Sequence, residues 1–134
     1  MSAASPTALF TKATLVGLLL ATCLACDKNT SRLLPSEVSG TWTTEDPRYH
    51  GRLFELSNAF VIVVTGPEDL PSIQAVDEVK TEVQSSETTF TVYSTDHSQK
   101  TEYQMVFTFT QANGGEIRFR NQPAVWHRGG EIAE

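Results

Sequence analysis

From Gly40 to Arg128 apolar and polar residues alternate with a period of two, in short runs rich in Thr, Val, Phe and Tyr. That is the pattern of strands half buried against one core, and it predicts about eight of them. Gly40 to Thr44 carries Trp42, and His50 to Ser57 sets Phe54 and Leu56 on one face, with Asp46-Pro47-Arg48 as the turn between. Asn58 to Thr65 is apolar on both faces, so it is expected to lie centrally or to be covered outside. Gly66-Pro67-Glu68-Asp69 ends it. Ser72 to Gln84 puts Ile73, Ala75, Val79 and Val83 on the face expected inside, and Gln74, Glu78, Lys80 and Glu82 opposite. Asp77 interrupts the apolar face, which marks a bulge or a mouth position. Thr88 to Thr95 turns Phe90 and Val92 inward, and Thr101 to Gln111 aligns Tyr103, Met105, Phe107 and Phe109. Asn113-Gly114 supplies the positive-φ residues of a tight hairpin before Ile117 and Phe119, with Arg118 and Arg120 opposite. Asn121-Gln122-Pro123 then turns into Ala124 to Arg128, which holds Trp126.

No stretch in this region carries a helical period, and the connections are too short for crossover helices. The expectation is an all-β chain, a small antiparallel up-and-down barrel of about eight short strands in one domain over residues 38–128. Closure hides the sheet edges by pairing the first strand with the last. Roughly fifteen large apolar side chains, each stabilising by about 1.5 to 3 kcal/mol when buried, are enough to fill much of the interior. A plugged barrel is expected rather than a deep pocket.

Ahead of this domain the pattern is different. Lys12 is followed by an uncharged run from Ala13 to Ala25 and then Cys26. One cation, a short apolar core and small residues are the requirements of a secretory signal. The run is shorter than the ~17 to 25 residues a transmembrane helix needs. Leu24-Ala25-Cys26 resembles the lipobox of bacterial lipoprotein precursors. That resemblance implies cleavage after residue 25, acylation of Cys26 and a lipid-anchored domain in the bacterial cell envelope. Leu20-Ala21-Thr22-Cys23 is the alternative box, with the bulkier Thr22 before Cys23. Several acyl chains together hold a protein on a membrane durably, where one does so only reversibly. The polar residues 26–37 then read as a tether and residues 129–134 as a disordered tail.

Without residues 1–25 the chain has nine Lys and Arg, ten less Lys12, against sixteen Asp and Glu, a formal charge of −7. Scattered basic residues on an acidic chain argue against nucleic acid as a partner. Cys26 is the only cysteine left, so no disulfide is available. His50, His97 and His127 show no metal-ligand spacing, no nucleophile elbow or phosphate loop occurs, and no cofactor or catalytic group is expected. The densest candidate binding patch is Arg48, Tyr49, His50 and Arg52, beside Glu45 and Asp46 and near Trp42. Aromatic and guanidinium groups of this kind form partner sites, although arginines also pair with neighbouring carboxylates. Gly40-Thr41-Trp42, with an arginine near the end of the chain, is similar to the Gly-x-Trp and closing Arg of calycin barrels such as lipocalins. The resemblance implies a Trp at one barrel end covered by an arginine, with Arg128 first and Arg120 second for that place. Two functions follow as expectations: a non-enzymatic barrel that binds a protein or envelope partner, or a lipocalin-like carrier of a small apolar ligand.

Overall fold

The computed structural model describes residues 27–129. The expected signal peptide, both candidate lipidation cysteines, Cys23 and Cys26, and the tail beyond Gly129 lie outside them. Among the described residues are nine strands: β1 (Asp27–Ser31), β2 (Gly40–Thr43), β3 (Leu53–Leu56), β4 (Phe60–Val64), β5 (Ser72–Gln84), β6 (Glu87–Asp96), β7 (Thr101–Thr110), β8 (Glu116–Phe119) and β9 (Val125–Arg128). Strands β2 to β9 each pair antiparallel with the next, and β9 returns to β2 through Trp42 opposite Arg128 and Thr43 opposite His127. This is a closed eight-stranded barrel plus one extra strand. The closed architecture is compatible with a lipocalin-like barrel.

The connections divide into two ends. Residues 44–52, 65–71, 97–100 and 120–124 form an open mouth, and residues 57–59, 85–86 and 111–115 lie at the other end. That second end is filled. Trp42, Phe90, Phe107 and Ile117 are fully buried, with Leu56, Val61, Val79 and Val92 around them. Trp42 stands between Phe54, stacked at 6.4 Å, and Phe109, edge-on at 6.1 Å. Its indole N–H donates to the Val38 carbonyl at 3.0 Å. Of the two arginines considered for the ring, Arg128 lies over it, 4.9 Å from the centroid, while Arg120 lines the mouth. The Arg128 guanidinium also donates to the carbonyls of Gly114 and Glu37, joining the β7–β8 hairpin to the segment that enters β2.

Gly115 permits this packing. Its φ is +111°, and a Cβ there would lie 3.2 Å from Phe109 and 3.3 Å from Trp42. Gly115→Val is expected to lose about 1 to 3 kcal/mol from backbone strain alone, seen as a lowered urea midpoint; an unchanged midpoint would show that this end has slack.

Two expectations are corrected. Residues 27–37 are not a free tether, because β1 pairs with the lower half of β5, from Asp27 opposite Val83 to Ser31 opposite Val79. Leu34 and Val38 follow as buried core residues, 3% and 0% exposed. The folded domain therefore includes the residues from Asp27 onward, since a strand as long as β5 outreaches β4 and leaves an edge that β1 covers. The second correction concerns β5 itself. The β5–β6 register shifts between Val76 and Glu78, so Asp77 is a bulge, its carboxylate accepting from the Thr95 hydroxyl at 2.6 Å. An extra residue reverses which face the alternation presents. Val79 faces the core as expected, but above the bulge Gln74 points inward at 4% exposure while Ile73 is 55% exposed. The outward side of β4 is likewise only partly covered, and Phe60 is exposed there beside Ala75.

Candidate functional site

The open mouth is built from residues that alternate inward at the upper strand ends and from the loop between β2 and β3. In that loop Asp46 caps a single 3₁₀ turn, Pro47–Tyr49, by accepting from the Arg48 backbone N–H at 3.0 Å. The same carboxylate accepts two bonds from the Arg48 guanidinium, at 3.0 and 2.6 Å. These bonds, the side-chain ones foremost, hold the Asp46 carboxyl below the usual carboxylate range. Arg48 is thereby occupied. Tyr49, next along, carries both arginines against its ring, with Arg48 at 5.9 Å and Arg52 at 5.7 Å from the centroid.

Tyr49 in turn leans on Trp126 at 5.9 Å. Trp126 meets Phe54 at 5.2 Å and Phe119 at 6.2 Å, and its indole N–H donates to the Gln122 side-chain carbonyl at 3.0 Å. A recess of about 230 Å³ opens above these rings, lined also by Val63 and Met105, with Arg52 at its rim. A wider recess of about 520 Å³ adjoins it, sharing Val63, Met105, Phe119 and Gln122 and adding Gln74, Tyr103 and Arg120. Among the described residues lining the two recesses, the charged ones are Arg52 and Arg120, with no Asp or Glu. The chain as a whole carries −6.

Behind Gln74, which lines the wider recess, runs a bonded polar chain. Ser94 donates to Gln74 at 2.8 Å, Gln74 to Ser72 at 3.1 Å and Ser72 to Asp96 at 3.1 Å. Asp96 also accepts from the Ser98 hydroxyl and from the backbone N–H groups of Ser98 and Gln99. The Ser98 hydroxyl contributes most to holding the Asp96 carboxyl below its ordinary pKa. Its pKa being lower in the folded state than in the unfolded chain, this group stabilises the fold above the ordinary carboxylate pKa. That contribution is lost as pH falls through that value toward the lowered one. Urea midpoints should drop below about pH 4 in the parent and less in Asp96→Asn. Parallel profiles for the two proteins would exclude the assignment.

The candidate patch read from sequence is divided by the fold. Tyr49 and Arg52 line the mouth, Arg48 backs Tyr49, and His50 is exposed without lining either recess. Trp42 belongs to the opposite, filled end. Met105 and Phe119, expected as inward strand residues, form the floor with Trp126, expected only as part of the last strand, and Arg120 joins them. Their signal was inward periodicity, which does not tell the middle of a barrel from its rim. His50, His97 and His127 occupy separate elements. Among the described residues no group of three His, Cys, Asp or Glu could hold a metal ion, and no helix is long and apolar enough to cross a membrane. No family model, curated protein or solved structure matches the chain.

Proposed function

We propose that this protein is a lipid-anchored component of the bacterial cell envelope, attached through Cys26, whose barrel is not an enzyme and binds a protein or envelope partner at its mouth. The observation that carries this reading is an aromatic recess of about 230 Å³ above a filled core. The adjoining recess of about 520 Å³ lies within the roughly 300 to 1,000 Å³ of pockets that bury a drug-sized ligand, but both recesses open broadly to water instead of enclosing a cavity. Open recesses with an aromatic floor suit an apolar anchor projecting from a larger partner, the arrangement on which interface affinity is concentrated. Arg52 and Arg120 favour a partner segment with a negative charge beside that anchor. The apolar lining from Phe54, Met105 and Phe119 is what supports the second reading, carriage of a small apolar ligand.

The test is photo-crosslinking in the native envelope, with a benzophenone side chain in place of Tyr103 at the mouth or of Lys28 on the barrel's outer wall. Under the partner reading, Tyr103 gives one discrete protein adduct, Lys28 does not, and Arg52→Glu lowers the yield several-fold. If the mouth gives no protein adduct and native mass spectrometry of the extracted protein finds a small apolar molecule retained, the carrier reading replaces it.

A further inference from the structure

The segment that the sequence presents as a tether is used up in the barrel, and this restricts how an anchored domain can stand on a membrane. β1 begins at Asp27, with its backbone held opposite Val83 near the tip of the β5–β6 hairpin. Cys26 is one residue further, and consecutive Cα atoms are about 3.8 Å apart. From Val83 to Ser72, where β5 reaches the mouth, is about 35 Å of strand. At a barrel tilt of 35 to 45° that is roughly 25 to 30 Å along the axis. Turning the mouth toward the membrane would need a linker of comparable length, on the order of eight extended residues. β1 and the buried side chains of Leu34 and Val38 leave none. Anchoring at Cys23 would add only about 10 Å at full extension.

We infer that the closed end of the barrel rests on the lipid headgroups and that the mouth points away from the membrane. The occupant of the closed end is thus the bilayer surface. Exposed apolar residues occur at both ends, Val83 and Leu33 at the closed end and Leu70 and Ile73 at the mouth, so the orientation is carried by the position of Asp27 in the fold. The mouth presents the long connections, Arg52 and Arg120. In this orientation a partner reaches the recess from the aqueous side, without competing with lipid. The inference rests on the lipid anchor proposed above.

The experiment uses the full, lipidated chain in phosphatidylethanolamine and phosphatidylglycerol vesicles that carry a headgroup-linked acceptor dye. A donor dye is placed either at the hairpin tip, through Ser86→Cys, or at the mouth, through Leu70→Cys; both positions are exposed. Energy transfer several-fold stronger from position 86 than from position 70 is expected. Equal transfer, or stronger transfer from position 70, in protein that floats with the vesicles overturns the orientation and leaves the anchor standing. Protein that fails to float overturns the anchor and the orientation with it. The intrinsic fluorophores provide a check without dyes. Quenching by headgroup-nitroxide lipid should be stronger in Trp126→Phe, which keeps Trp42 near the membrane, than in Trp42→Phe, and the reverse order overturns the orientation.

Discussion

Trp42→Ala is expected to cost about 3 to 5 kcal/mol of folding stability, a large share of the roughly 5 to 15 kcal/mol a domain of this kind has in total. The indole is fully buried at the filled end, so its removal empties a space bounded by Phe54, Phe109 and Gly115. Collapse is hindered because those neighbours sit on paired strands and a positive-φ turn. The loss also orphans the Val38 carbonyl and takes away the surface on which the Arg128 guanidinium lies. Arg128→Met keeps some packing over the ring while removing the charge and the bonds to the Gly114 and Glu37 carbonyls, and should cost about 2 to 3 kcal/mol. The two losses should not add, because they share a contact. Urea unfolding of both single variants and the double variant measures this. Strict additivity, or a Trp42→Ala variant as stable as the parent, would show that the Trp-Arg contact contributes nothing to closure.

Starting the chain at Val38 instead of Asp27 should be comparably damaging. That truncation removes Leu34, whose burial alone is worth about 1.5 to 3 kcal/mol, and its backbone bond to Asn58. It removes the Glu37 carbonyl that Arg128 bonds, and it makes Val38, the acceptor for Trp42, a chain terminus. Worst, Val79 to Val83 become an open strand edge, which invites pairing between molecules. A chain from Asp27 should unfold cooperatively as a monomer. The chain from Val38 should lose more than about 3 kcal/mol and elute partly as aggregates. Matching urea midpoints and elution volumes would make β1 a dispensable appendage.

The eight barrel strands were legible because a strand half buried against a core writes its period of two directly into the chain. β5 shows both the strength and the limit of that code. Its bounds, Ser72–Gln84, were readable to the residue, and Asp77 was visible as an interruption. Which side of the interruption faced inward was not. Only the pairing with β6 decides that, and it put Gln74 rather than Ile73 inside.

β1 lay beyond reach for another reason. Asp-Lys-Asn-Thr-Ser has no apolar alternation and little strand propensity, and it is a strand only because β5 outreaches β4 and offers it an edge. The mouth is a similar case. Tyr49 and Arg52 could be singled out as an aromatic and a cation in a loop, yet Met105, Phe119 and Trp126 look in sequence like any other inward residue. Height along a barrel axis follows from the stagger between strands, a sum over every pairing around the ring. Local periodicity thus determined by itself the all-β class, the eight barrel strands and most of the core. The assembled tertiary structure decided which inward side chains reach water, where Trp42 and Arg128 meet and how the chain enters the barrel, because each depends on register between segments distant in sequence.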